Sequence, residues 1–564
     1  LLPKNQLPDT GNIHLQDGLL SLPSLAGRAL GWRSGIFSIL WLLACLPLLI
    51  TSLPAYAQNQ CGTVSSIAFP VDRSTFQLAQ DFGVPSPRHQ GRYHTGEDWT
   101  APRGSAYGQP VRAIADGRVT YSAATGWGRD GGVVIIEHTF PDGSTYYSQY
   151  GHMESNETYP FPERYTCVKG GGIIGAVGNA RPAPHLHLEI RTNQPDLTGP
   201  GYTSEFPTLL GWRKPSQFIL NWSAWMSPAH RWHVEGNDLV APPLVFAQDY
   251  SFMVLEKNRL RGVTPTGGVL WRINLDKPAV GLSRQAESAL VTFADGTMQV
   301  VAPGGTPGEQ WATGLTLESP AIASGDTLFF HTPDNALVRL TADHQAVEWR
   351  LEGVPPVLSS YVAPNLLGLL TDSHEIWSVS HEGQVLDRAQ LDESAGLSST
   401  PNGELLVYSA GGLWAVDRVG TWSLVREDAP PGGASSAALL LLDGRLFLLT
   451  RCRDVACLNP AENTTALLFA YNPDGSPAWT VDVGDIGGQV TLSSLGNVLL
   501  LTSTDGHILA LQAESGGLCN AVQIYGDRRS LAWHELGADG VLRIALGNQV
   551  MGLDWRTFLG GCAP

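Results

Sequence analysis

Apolar and polar positions alternate with a period of two along much of the chain, in short runs. Gly132-Val133-Val134-Ile135-Ile136-Glu137-His138 is one such run, and Asp116-Gly117 and Asp142-Gly143 punctuate its surroundings. Successive side chains on a strand point to opposite faces, so short runs bounded by Asp-Gly turns predict antiparallel strands joined by tight loops. From 67 to 190 this predicts a compact antiparallel β domain. A Pro- and Gly-rich tail follows over 193–222, and the texture changes across 223–230.

Beyond 230 the pattern repeats. Hairpins are predicted at 252–263, 289–301, 327–340, 366–379, 404–416, 445–471, 497–511 and 541–553, two of them turning on Asp295-Gly296 and Asp505-Gly506. A Trp-led strand recurs between hairpins at Trp271, Trp311, Trp349, Trp422 and Trp479, with first spacings of 40 and 38 residues. The longer gap after Trp349 leaves room for a unit with Asp387 in the Trp position, and the gap before Trp479 accommodates an insertion around Cys452 and Cys457. Units near 40 residues with about four strands each describe propeller blades. Residues 231–236 (RWHVEG) look like 348–353 (EWRLEG) but precede the first hairpin, which predicts an outer strand that completes the last blade and latches the ring. Eight blades are therefore favoured over seven. The Trp-led pattern resembles the PQQ-like (quinoprotein-type) β-propeller repeat.

The fold class expected is all-β, with domains at 58–222 and 231–564, a linker at 223–230 and a separate N-terminal segment at 1–57. That segment holds an uncharged apolar run over 35–54, preceded by Arg28 and Arg33 and followed by Ala55-Tyr56-Ala57, the pattern of a cleavable export signal. An uncleaved membrane anchor is the alternative. Export predicts a secreted, periplasmic or cell-envelope protein, in contact with a membrane only if the segment is retained. Six of the seven cysteines lie beyond it, an even number that suits disulfides outside the cytoplasm. Spacing does not fix their connectivity. Cys61 with Cys167, Cys452 with Cys457 and Cys519 with Cys562 would each tie one region, while free buried thiols are the alternative. A net charge of −17 with no long basic run excludes the electrostatic footprint of a nucleic-acid binder.

Three fragments of the first domain carry candidate chemistry: His94-Thr95-Gly96-Glu97-Asp98, Tyr150-Gly151-His152, and His185-Leu186-His187 followed by Glu189. Residues i and i+2 of a strand share a face, so His185 and His187 can enter one cleft. Zinc hydrolases use three nitrogen or oxygen ligands and keep a fourth position for water. Two histidines and an aspartate meet that need, and two further histidines can move protons and stabilise an oxyanion. His138 reads as a structural neighbour. Glu189 reads either as a partner orienting a histidine or as a solvated strand-end carboxylate.

The segment 69–190 resembles the lysostaphin/LytM-type zinc peptidases that cut peptidoglycan cross-links, on these motifs in this order together with Gly83-Val84-Pro85 and the strand ending at His138. The resemblance implies a small antiparallel sheet with a groove for an extended peptide. It implies His94, Asp98 and His187 as Zn2+ ligands, His152 and His185 as the catalytic pair, and peptidoglycan peptides as the partner. Gly151 and a lengthened loop over 154–168 are its departures. The expected function is an exported zinc metalloendopeptidase with a recognition or scaffolding propeller that takes an unknown ligand. The alternatives are a non-catalytic peptidoglycan-binding or hydrolase-activating protein, and a quinoprotein dehydrogenase, which the missing adjacent cysteines and calcium cluster disfavour.

Overall fold

The computed structural model describes residues 61–562, apart from 128–130, 326, 363–364, 391–395, 400–404, 410–411, 417–421, 427–434, 452–465 and 527–530. The apolar N-terminal run and the Cys452 and Cys457 pairing lie outside the described residues. Among the described residues no helix is long and apolar enough to cross a membrane.

The alternating runs of the first domain form a mostly antiparallel sheet. Its strands run in the order Gln77–Gln80, Glu97–Thr100, Leu186–Arg191, Thr145–Glu154, Gly132–Thr139, Gly117–Ala123 and Cys167–Val168. Alternation sends Leu186, Leu188 and Ile190 to one face, where they are fully buried with Val134, Ile136 and Tyr150. The helix Pro215–Trp225 covers that face through Phe218, Ile219 and Trp222, residues spaced to share one side of a helix. Pro215 in the first turn suits a position with no amide hydrogen to satisfy. Ser216 donates from its amide (3.1 Å) and its hydroxyl (2.6 Å) to the buried Glu97 carboxylate, which lies at the positive end of the helix. Glu97 thus ties the helix to the strand that carries Asp98 on its opposite face.

From 230 onward the described residues hold eight four-stranded antiparallel sheets. Apolar clusters join each sheet to the next. One more cluster, with Trp232, Val234, Val245, Phe252 and Val550, joins the last sheet to the first. His230–Glu235 pairs with Gln549–Asp554, so the strand nearest the start of the repeats is the outer strand of the final sheet. This is the predicted latch. The indoles of Trp271, Trp349 and Trp479 donate to the carbonyls of Pro303, His381 and Ala513, each more than 30 residues downstream. Gly383 (φ 83°) lies so close to the Trp349 ring that an added Cβ would fall 2.7 Å from it, so the repeat needs glycine there. Asp387 pairs with Ser378 just before the strand's register shift, the place Trp349 occupies opposite Arg339.

Two disulfides, Cys61–Cys167 and Cys519–Cys562, are present, bonds that persist in oxidising, extracytoplasmic compartments. The stretch expected to be a linker, 223–230, begins inside the helix Pro215–Trp225 and ends at the first residue of the strand His230–Glu235. Tight packing explains this. Asn221 Oδ1 accepts from the Tyr525 amide (3.0 Å) and from Gln549 (2.9 Å), and Trp225 stacks on His233 at 3.8 Å.

Trp232 is 8% exposed, packs on Phe252 and covers Gly267 and Gly552. Its replacement by alanine is expected to destabilise the ring by about 3–5 kcal/mol through lost burial and a residual cavity. The denaturant midpoint measures this, and a change below about 1 kcal/mol would contradict the latch.

Candidate metal centre and catalytic groove

Three strands bring the expected ligands together. His94 ends Arg92–His94, Asp98 lies on Glu97–Thr100, and His187 lies on Leu186–Arg191, directly opposite Asp98 in the antiparallel register. The turn between the first two depends on Gly96, where a Cβ would fall 2.3 Å from the Leu188 carbonyl oxygen. His94 Nε2 lies 3.0 Å from His187 Nδ1 and 3.3 Å from Asp98 Oδ1, and His187 Nδ1 lies 2.8 Å from that same oxygen. One donor atom from each residue falls within 4.8 Å of the others, and all three residues are buried. Two imidazole nitrogens and a carboxylate oxygen form the donor set of a zinc-type site.

The other nitrogens of these rings are held from behind. His94 Nδ1 lies 3.1 Å from the Asp81 carbonyl, and His187 Nε2 lies 3.1 Å from Glu189 Oε1. Glu189 is wholly buried. Its carboxylate accepts from Thr95 Oγ1 (2.6 Å) and Trp212 Nε1 (2.9 Å), with Arg191 Nη1 at 3.6 Å. Of the two readings open in the sequence, the structure gives the partner that orients a histidine. A ring nitrogen bound to a carboxylate fixes tautomer and ring orientation at the opposite nitrogen. The roles of Thr95, Trp212 and Arg191 around Glu189 are not legible in the sequence, where nothing shows that the chain around 212 returns to this strand.

Burial works against charge on Glu189, but the His187 ring, then Arg191 and Thr95, outweigh it and hold the carboxyl at about 2. Burial likewise opposes charge on Asp98, and hydrogen bonds from His187 and His94 hold it far below the carboxylate range. His187 lies between the two acids. Burial pulls its pKa down, and the hydrogen bonds to Asp98 and Glu189 raise it to about 9.

His152 and His185 flank this cluster. Their ring centroids are 4.6 Å apart, and His185 Nε2 lies 3.7 Å from Asp98 Oδ2. His185 Nδ1 lies 2.8 Å from the Ala183 carbonyl, which can only accept, so Nδ1 carries a proton and the lone pair of the neutral ring falls on Nε2. His152 has a φ of 58° near the end of its strand. Trp127 lies between, 4.6 Å from the His152 ring and 5.0 Å from His187, with its N–H donated to Gly199. It reaches there only because residue 151 is glycine; a Cβ would fall 2.2 Å from the indole. The Gly151 departure is thus a seat for Trp127. His138 is a core residue, with Nδ1 at Asp116 O and Nε2 at Ser148 Oγ, and burial lowers its pKa to about 4.

The five residues open onto a groove of about 380 Å³ that is also lined by Gln80, Arg88, Arg92, Trp127, Arg181 and Tyr202. None of the described residues of the lengthened loop lines it. That loop folds back on the sheet, where Tyr165 donates its amide to Val119 and Phe161 packs on the core.

Residues 92–198 match peptidase family M23. Residues 231–461 match the family described as outer membrane protein assembly factor BamB. The peptidase match precedes the BamB-like one, in the order read from the motifs and the Trp-led repeat. The M23-like part is of the metallopeptidase hydrolase type, and its His-Asp-His cluster suits that family's dependence on a metal. Among solved structures the chain is similar to BamB from Moraxella catarrhalis, at 14% identity and a TM-score of 0.43 over 57% of this chain and 98% of that one. The computationally designed Ika8 protein is similar at 14% identity and 0.43, covering 58% and 99%. Sqt1 from Saccharomyces cerevisiae gives 13% and 0.43, covering 58% and 98%. No curated protein matches the chain.

Glu189→Gln is expected to weaken metal binding about 10- to 100-fold, because the ring it orients is freed. Competition with a chelating dye measures this, and unchanged affinity would contradict the orienting role. The raised His187 pKa also sets a pH dependence. In the metal-free chain its protonation contributes stability that is complete below the ordinary value of 6.5 and lost as pH rises through about 9. A cation at Nδ1 must displace that proton. Metal affinity should therefore climb about tenfold per pH unit up to roughly pH 9 and then level; a flat profile from pH 6 to 9 would contradict this.

Proposed function

We propose that the chain is an exported zinc metalloendopeptidase that hydrolyses peptide cross-links of peptidoglycan, its propeller serving as a recognition or scaffolding module. The observation that carries the reading is the buried His94, Asp98 and His187 cluster with His152 and His185 beside it, at the floor of an open groove. His94, Asp98 and His187 would hold the zinc. When bound, the ion supplies Lewis acidity toward a peptide carbonyl and makes a water more acidic.

The chain's own residues supply the rest. His185, its Nδ1 proton engaged by the Ala183 carbonyl, takes the proton of the attacking water at Nε2. That proton passes to the departing amine, so the products are a free carboxylate and a free amine. His152, with its ring against that of His185, donates to the oxyanion that develops on the carbonyl. Trp127 packs against the His152 ring and supports its orientation. Two oriented histidines have no evident use in a protein that only binds, which argues against the non-catalytic reading.

The test is mass spectrometry of peptides released from purified peptidoglycan by the full chain, with zinc, with chelator and with His185→Ala. Release is expected with zinc alone. His185→Ala should keep its zinc and lose about 100-fold or more in rate, whereas Asp98→Ala should lose the metal. No release with zinc demonstrably bound would overturn the hydrolase.

A further inference from the structure

The groove has a charge of its own, opposite to that of the chain. Acidic residues outnumber basic ones 52 to 35 overall, yet the groove-lining residues include Arg88, Arg92 and Arg181, and their one carboxylate is Asp98, a candidate ligand. Arg88 and Arg92 are exposed, and neither has an ion-pair partner among the described residues. They are also built into the wall of the site. Arg92 and His94 are two apart on one strand and share a face, which directs Arg92 to the side of the metal cluster. Arg88 lies in the short turn Pro87–His89. His89 stacks on Tyr202 at 3.7 Å, Ser86 Oγ lies 3.0 Å from His89 Nδ1, and Tyr202 lies 5.1 Å from the His94 ring. The wall that carries the two arginines is thereby braced against the cluster itself.

Guanidinium groups bind carboxylates through paired, charge-assisted hydrogen bonds, and an acidic chain repels acidic ligands except where local cations reverse its field. A bridge of glycines would leave these arginines unused.

We infer that the groove selects cross-links whose scissile bond lies beside a free carboxylate, as when D-alanine is joined to a diamino diacid, over uncharged glycine bridges, with Arg88 and Arg92 receiving the carboxylate. This rests on the peptidase reading for the identity of the ligand, but binding tests it without turnover.

The probe is a synthetic pair of cross-linked stem peptides containing the D-alanyl-meso-diaminopimelate bond, prepared as free acid and as the amide of the neighbouring carboxylate, beside a pentaglycine-bridged pair. Calorimetric titration into the zinc-loaded full chain carrying His185→Ala should give at least tenfold tighter binding of the free acid than of either other peptide. The difference should shrink as salt is raised, vanish in Arg88→Ala/Arg92→Ala and invert in Arg88→Glu/Arg92→Glu. Equal binding of acid and amide, a preference that survives the double substitutions, or no binding of any of the three would overturn the inference. Cleavage of the same peptides by the chain with His185 intact is scored separately. A preserved acid preference without cleavage would sink the hydrolase and leave the arginine wall standing.

Discussion

The fully buried carboxylate of Glu189 is the interaction on which the rest of the site depends. A buried, ionised acid is costly unless every lone pair is engaged. Glu189 is engaged by Thr95 from the first motif, Trp212 from the tail, Arg191 from its own strand and His187 from the ligand set. Three stretches of chain, around Thr95, Trp212 and the strand Leu186–Arg191, are therefore fixed at one point. His187 is left with one orientation, its Nδ1 facing Asp98 and His94, and the geometry of the cluster follows. Strand alternation extends this order outward, because residues 187, 189 and 191 share one face while 186, 188 and 190 build the core beneath them.

The same alternation joins the site to the second domain. Glu97 faces the helix Pro215–Trp225 and Asp98 faces the groove, so one dipeptide connects helix position to ligand position. The helix then buries Trp222 in the first core and bonds Asn221 to the propeller strand Gln549–Asp554. That strand is latched by His230–Glu235, which directly follows the helix in sequence. Ring closure and groove geometry thus share a short piece of backbone.

What could be read from the sequence was local or periodic. His94, Asp98, His152, His185 and His187 stood out because their spacings are short and their side chains carry metal or proton chemistry; the structure gathers all five around one groove. The Trp-led strands and the latch were legible because a repeat announces itself by its period, and Asp387 could be placed in the missing Trp position for the same reason. The burial of Glu189 was not legible, since it depends on Trp212, which arrives from 23 residues downstream. Trp127 gave no signal beyond a neighbouring glycine, and its seat depends on Gly151, on another strand. The lengthened loop lies against the sheet, and the groove is walled by Arg88, His89 and Tyr202, which the motifs did not include.

The most direct test of this account is X-ray absorption at the zinc edge on the zinc-loaded full chain. Two imidazoles and one carboxylate predict a first shell of nitrogen and oxygen at about 2.0–2.1 Å, scattering from two histidine rings, and no sulfur. Sulfur at about 2.3 Å, or the scattering of a single ring, would show that zinc binds elsewhere and would contradict the assignment of His94, Asp98 and His187.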